Sequence, residues 1–336
     1  MKEKRAYRIA VLGDGAWGTA LALTLCSNGH DVALWGVFPE NLEAMERDRE
    51  NRRFLPGVPL PQELKFVTDV KEAVSGRDML VLAAPSQYLR GTLQKLKNCF
   101  EPDQVLVNIA KGIEVGTLLR MSQLCEEMLG PHRKYAALSG PSHAEEVSRG
   151  IPTLVTAASR DAGTARLVQK VFMNPRFRVY RSSDLVGVEL GGALKNVFAV
   201  AAGILDGIGM GDNAKAALMT RGIAELARLG VKLGGRRATF GGLSGIGDLI
   251  VTCMSRHSRN RFVGEELGKG RKLDEIIRSM NMVVAEGVRT CEAAKALADS
   301  AGVETPLING VYDVLFRDRS PREIIHELMT RKARME

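Results

Sequence analysis

A strand-like run, Arg8-Ile9-Ala10-Val11-Leu12, passes straight into Gly13-Asp14-Gly15-Ala16-Trp17-Gly18, and a helical pattern follows from Thr19 to Ser27. Glycines spaced Gly-x-Gly-x-x-Gly between a strand and a helix leave a chain few choices. Gly13 makes the turn, Gly15 lets the backbone approach a pyrophosphate, and Gly18 lets the helix pack closely on the strand. Free N–H groups at the helix start then face the phosphates. The spacing predicts a dinucleotide site; the plainer alternative is a structural glycine turn.

The next strand, Asp31 to Trp35, ends on Gly36-Val37-Phe38. An acid here favours NAD and an arginine accommodates the NADP phosphate. Neither is present, so NADH and NADPH both stay open. The stretch Asn51-Arg52-Arg53-Phe54-Leu55-Pro56-Gly57 reads as a loop. Short apolar runs at 65–68, 78–83, 104–108, 153–157 and 176–180 read as strands, with helical patterns at 70–74 and 88–97 between them. Alternating strand and helix predicts an α/β fold whose N-terminal part is a Rossmann-like, doubly wound parallel sheet. Ligands gather beyond the carboxyl ends of such strands. Three of those ends carry polar punctuation: Ala84-Pro85-Ser86, Ala110-Lys111-Gly112 and Ser139-Gly140-Pro141-Ser142-His143. Lys111 reads as a cation aimed at a bound anion, or as a surface lysine. His143 has the right ordinary pKa for a base but sits where a helix begins.

From Asp184 onward the pattern is glycine-punctuated helix, at about 184–206, 212–230, 258–268, 272–279, 287–301 and 306–316, with a short one at the end. The expected division is a dinucleotide-binding domain over 1–183 and an all-helical substrate-binding domain over 184–336. Within the first of these helices, Glu189-Leu190-Gly191-Gly192-Ala193-Leu194-Lys195-Asn196-Val197 sets a lysine among small and apolar residues. Gly191 and Gly192 share its face one turn back. They leave room for a ligand beside Lys195, or they are packing glycines beside a lysine that reaches solvent. Further on, Gly241-Gly242-Leu243-Ser244-Gly245-Ile246-Gly247-Asp248 ends a glycine-rich turn on a carboxylate. Ser258-Arg259-Asn260 then opens a helix with groups that suit a phosphate. The plainer alternatives are an N-cap role for Asp248 and ordinary capping plus surface charge for Ser258-Arg259-Asn260.

The 336 residues allow one or two domains with a sizeable core. The five cysteines are scattered without a Cys-x-x-Cys pair, and the five histidines lack ligand spacing, so no disulfide framework and no metal are expected. The net charge of +8 comes from dispersed basic residues interleaved with acids. That argues against nucleic acid and for a field that attracts small anions. No apolar run approaches the ~20 residues that span a bilayer, so a cytoplasmic location without membrane insertion is expected.

In order along the chain, Gly13 to Gly18, Lys111-Gly112-Ile113-Glu114, Ser139-Gly140-Pro141-Ser142, Glu189 to Asn196, Gly245-Ile246-Gly247-Asp248 and Ser258-Arg259-Asn260 resemble the bacterial NAD(P)-dependent glycerol-3-phosphate dehydrogenases. The likeness covers nearly the whole chain. It implies reversible reduction of dihydroxyacetone phosphate to sn-glycerol 3-phosphate for glycerophospholipid synthesis, with NADH or NADPH as cofactor and a homodimer as one form of assembly. It implies that Lys195 exchanges the proton. Lys111, Gly140, Ser142, Lys195, Asp248, Ser258, Arg259 and Asn260 would hold the substrate. Gly13, Gly15, Ala16, Trp17, Gly18, Lys111, Ala144, Arg259, Val284 and Glu286 would hold the cofactor. The family often has a basic residue where Val37 stands, which weakens the case for NADP. Two rivals remain: a 3-hydroxyacid or 6-phosphogluconate type of dehydrogenase, and a redox-sensing nucleotide-binding protein.

Overall fold

The computed structural model describes residues 5–131, 134–280, 285–333 and 335. The chain divides into two compact units, Met1–Lys111 with Leu119–Glu189, and Gly112–Leu118 with Leu190–Glu336.

The first unit is built on ten strands: β1 (Arg8–Leu12), β2 (Asp31–Trp35), β3 (Glu50–Asn51), β4 (Leu55–Pro59), β5 (Lys65–Val67), β6 (Met79–Leu82), β7 (Val105–Asn108), β8 (Tyr135–Ser139), β9 (Thr153–Ala158) and β10 (Phe177–Ser182). Eight form one sheet in the order β10-β9-β8-β7-β6-β1-β2-β5. The central strands carry continuous apolar runs because both faces are covered. Ile9, Val11, Val32 and Leu34 point into one core, and Ala10, Leu12, Trp35, Leu80 and Leu82 into the other. The chain runs outward from β1 through β2 to β5, then returns to β6 on the other side of β1. That reversal is the topological switch point, where ligands sit in open α/β sheets.

Two features depart from the sequence reading. The sheet is parallel except at β8 and β9, which pair antiparallel. Only a four-residue helix, Ala144–Val147, lies between them. One helical turn rises about 6 Å, too little to carry the chain back along a strand for a parallel crossover. The stretch expected as a loop at 51–57 instead contributes to a small antiparallel hairpin of β3 and β4. Its strands are short and interrupted by prolines and a glycine, so the two-residue period never shows.

The second unit is helical. Its main element begins in the first unit: a 24-residue helix, Leu185–Ile208, here called the lysine helix. It is long and apolar enough to cross a membrane, yet 89% of its most apolar window is buried within the protein, as for the central helix of a core. Helices Gly211–Lys232, Asp248–Met254, Arg259–Gly268, Glu286–Ala301, Pro306–Phe316 and Pro321–Met329 follow. Glycines decide how closely Arg259–Gly268 approaches the lysine helix. A Cβ on Gly203 would stand 1.9 Å from the Arg261 carbonyl oxygen, and one on Gly264 1.9 Å from that of Val200. The two backbones touch because neither position carries a side chain.

Candidate active site

The glycine turn of the first unit has the shape that dinucleotide binding needs. Gly13 adopts φ +137°, and a Cβ there would strike Ala83 at 2.6 Å. A Cβ on Gly18 would meet the Gly13 carbonyl oxygen at 2.1 Å, so the helix can lie tight on the strand only with glycine. Around Gly15 there is open space within 4 Å. Gly15 is also the N-cap of helix Ala16–Ser27 and offers no side chain to its first N–H groups. Those donors suit a phosphate. The Trp17 indole N–H is buried and finds no acceptor among the described residues. An open backbone, uncapped donors and a buried indole donor fit a dinucleotide at this turn.

Three of the expected substrate residues meet in the same unit. Lys111 Nζ donates to the Gly140 carbonyl oxygen at 2.8 Å, and Ser142 Oγ donates to the same oxygen at 2.9 Å. Gly140 has φ +148°, and a Cβ there would stand 3.0 Å from Val155 Cα. His143 is the N-cap of helix Ala144–Val147, which packs against helix Ala16–Ser27 and brings Ala144 into the core beside the turn.

In the second unit, Lys195 is buried near the middle of its helix, and its ammonium is aimed. Nζ lies 2.9 Å from Asp248 Oδ1 and donates to Thr252 Oγ1 at 2.6 Å. The Thr252 hydroxyl in turn donates to the Asp248 carbonyl oxygen at 2.6 Å. Asp248 and Thr252 stand four apart on helix Asp248–Met254, so they face Lys195 together. Asp248 is the first residue of that helix, and Gly247 is the cap. Burial pushes the neighbouring Cys253 thiol up to about 12, so it stays protonated and is no rival nucleophile. Gly191 turns out to serve packing: a Cβ there would meet the Ser244 carbonyl oxygen at 2.4 Å. The glycine admits the π-helical stretch Leu243–Gly247 that leads into Asp248.

Asn260 donates to Asn196 Oδ1 at 2.9 Å and accepts the Gly287 N–H at 2.9 Å. Its amide therefore ties the lysine helix to Glu286–Ala301. Ser258 Oγ accepts the Arg261 N–H at 3.2 Å as an N-cap. Arg259, at the first position of the same helix, is exposed. Glu286 opens its own helix half-buried, and Val284 lies outside the described residues. Sequence reasoning did not single out Thr252 or Asn196. Four-residue spacing from Asp248 would have pointed to Thr252; nothing local points to the Asn196–Asn260 pair.

Residues 8–165 match the model of the NAD-dependent glycerol-3-phosphate dehydrogenase N-terminus, and residues 184–326 that of its C-terminus. The chain is 52% identical over 330 residues to the glycerol-3-phosphate dehydrogenase (NAD(P)+) of Pelodictyon phaeoclathratiforme, covering 98% of this chain and 99% of that one. It is 51% identical over 331 residues to the enzyme of the same name from Geobacter sulfurreducens, covering 98% of each. The crystal structure of glycerol-3-phosphate dehydrogenase from Coxiella burnetii superposes with a TM-score of 0.93 at 36% identity, covering 97% of this chain and 99% of that one. With both halves matched and half of all positions shared with such relatives, the chain belongs to the NAD-dependent glycerol-3-phosphate dehydrogenase family.

Proposed function

We propose that this chain catalyses the reversible NAD(P)H-dependent reduction of dihydroxyacetone phosphate to sn-glycerol 3-phosphate. The observation that carries the reading is the buried Lys195 ammonium, held by Asp248 and Thr252. The bound nicotinamide supplies the hydride. As the ketone carbon is reduced, negative charge gathers on its oxygen. An ammonium in a dry site stabilises that charge and delivers the proton. Asp248 and Thr252 take two of the three N–H directions of Lys195, which leaves one for the substrate oxygen. In the reverse direction the neutral amine takes the proton from the hydroxyl. Asp248 then keeps Lys195 placed through both protonation states.

In this reading Arg259 and the N-terminus of its helix, with Ser258 and Asn260, hold the phosphate, and Lys111, Gly140 and Ser142 also bind the substrate. The residues proposed to bind the cofactor are Gly13 to Gly18, Ala144 and Glu286. A fixed phosphate fixes the ketone for attack, and positioning of this kind lowers a barrier by several kcal/mol. The reading extends to a cytoplasmic enzyme that feeds glycerophospholipid synthesis.

The family match disfavours the 3-hydroxyacid and 6-phosphogluconate reading. The deciding experiment is a spectrophotometric assay with the purified chain. Oxidation of reduced nicotinamide is expected with dihydroxyacetone phosphate. Activity on 3-hydroxyacids or 6-phosphogluconate, with none on dihydroxyacetone phosphate, would overturn the assignment.

A further inference from the structure

Helix Asp248–Met254 shows two different sides. Asp248 and Thr252 turn to Lys195, with Leu249 and Cys253 buried beside them. Ile250 and Met254 stand four apart on the opposite side, 39% and 60% exposed. Ile246, one turn earlier in the π-helical stretch, extends the row and is 37% exposed. A row of large apolar side chains at the surface marks a place where something else binds.

The charges around the row have one sign. Between Glu225 and Glu265 the sequence holds seven arginines and lysines and a single acid, Asp248. Asp248 is buried against Lys195, so the stretch turns no acid to solvent. Arg228 and Arg261 are bound within the fold, by the Glu304 carbonyl oxygen at 2.6 Å and by Asp206 at 2.8 Å. Lys232, Arg237 and Arg256 are exposed. Helices Gly211–Lys232, Arg237–Phe240 and Asp248–Met254 pack together with the π-helical stretch, and Arg256 follows Met254 by two residues. The three cations therefore stay close to the apolar row.

This chemistry selects the partner. A second copy of the chain would set cation against cation across a shared patch, which costs free energy. Single-stranded nucleic acid calls for aromatic rings on which its bases stack, and this row is aliphatic. An aliphatic row beside lysine and arginine suits the headgroup layer of a bilayer that carries anionic lipids. The helices Arg237–Met254 and Arg259–Gly268 bend by 50° at their join, and Asp248 is tied inward to Lys195. The segment has no straight run to cross a bilayer, but it can lie on one.

We propose that Ile246, Ile250 and Met254, with Lys232, Arg237 and Arg256, dock this protein on an anionic phospholipid surface. Only the outer side of helix Asp248–Met254 meets lipid, so Asp248 and Thr252 keep their hold on Lys195.

Flotation of the full chain with vesicles tests this without an assay of turnover. The wild type is expected to float with vesicles of phosphatidylglycerol and phosphatidylcholine, to stay behind with phosphatidylcholine alone, and to be released as salt rises. Ile250→Ser combined with Met254→Ser is expected to weaken binding to the anionic vesicles by about tenfold or more. Lys232→Gln, Arg237→Gln and Arg256→Gln together are expected to do the same. All five side chains are exposed, so both variants are expected to keep the thermal midpoint of the wild type to within a few degrees. A wild type that fails to float with anionic vesicles would overturn the proposal. So would binding that vanishes with the cations yet ignores Ile250→Ser and Met254→Ser, which would make the patch a general polyanion site. A wild type that is dimeric in solution, does not float, and becomes monomeric with Ile250→Ser and Met254→Ser would give the row to a second copy and overturn it as well.

Discussion

Glu189 and Lys195 stand six residues apart on one helix. Both are charged and both are buried, yet they are held in opposite ways. Glu189 is saturated. Its two oxygens accept from Arg120 Nη1, from Ser122 N at 2.8 Å and Oγ at 2.6 Å, and from Tyr135 Oη at 3.0 Å. Arg120 also bonds Ser122 Oγ at 2.9 Å, so the network closes on itself. Among the described residues Lys195 has one carboxylate and one hydroxyl, both on a single neighbouring helix, and a further N–H direction beyond them. A closed network of this kind fixes structure, because each lost partner leaves a buried charge exposed to a low dielectric. An ammonium that is oriented but not saturated can meet a developing oxyanion. In the proposed reading, burial alone does not separate the structural charge of Glu189 from the chemical role given to Lys195; the fraction of donors and acceptors already satisfied does.

The widest test of that contrast is Lys195→Met, which keeps the length and removes the proton. Turnover of dihydroxyacetone phosphate is expected to fall by about 10³-fold or more, the range seen when an acid–base group and its electrostatic help are both lost. The nucleotide Kd is expected to stay within about threefold. A variant that keeps its rate to within about tenfold would place the chemistry elsewhere and break the comparison. Next in size is Glu189→Gln. It leaves the Arg120 guanidinium without its buried partner, at a cost of roughly 3 kcal/mol or more in stability. The thermal midpoint is expected to drop by several degrees while kcat of the folded enzyme holds. The opposite result, slow turnover with an unchanged midpoint, would make Glu189 part of the chemistry.

The contrast also marks what can be read from sequence. Lys195 stood out because a charge among Val188, Leu194, Val197 and Phe198 contradicts its surroundings, and the glycine turn stood out because its spacing is geometrical. Both signals are local. Thr252, Asn196 and the Asn260 bridge join residues 57, 64 and 27 positions apart, and no short window contains them. Sequence left two readings of Gly191 open for the same reason: what approaches it is the backbone of Ser244, distant in sequence. The stretch at 51–57 reads as a loop because a hairpin this short and proline-rich has no period to detect. The antiparallel turn at β8 and β9 depended on a connection whose length, not composition, decides its direction.

The smallest and finest test uses a third buried charged residue, Glu225, which lies between the two cases. It accepts N–H bonds from Ile308 at 2.8 Å and Leu307 at 3.0 Å, at the start of helix Pro306–Phe316, and among the described residues no guanidinium is hydrogen-bonded to it. Burial pushes its pKa up to about 7, with the two N–H bonds and then the charges of Arg228 and Arg331 pulling against that. The ordinary glutamate value, near 4.3, describes the unfolded chain. The folded state therefore binds the proton more tightly. Its stabilising effect is complete below about pH 4.3 and is lost as pH rises through about 7, in total by roughly 4 kcal/mol at most. Glu225→Gln removes this titration. Urea unfolding is expected to show the wild type losing ground to the variant between about pH 5 and pH 8. Parallel stability curves across that interval would mean that the two N–H groups already hold Glu225 ionised, and would move it into the saturated class with Glu189.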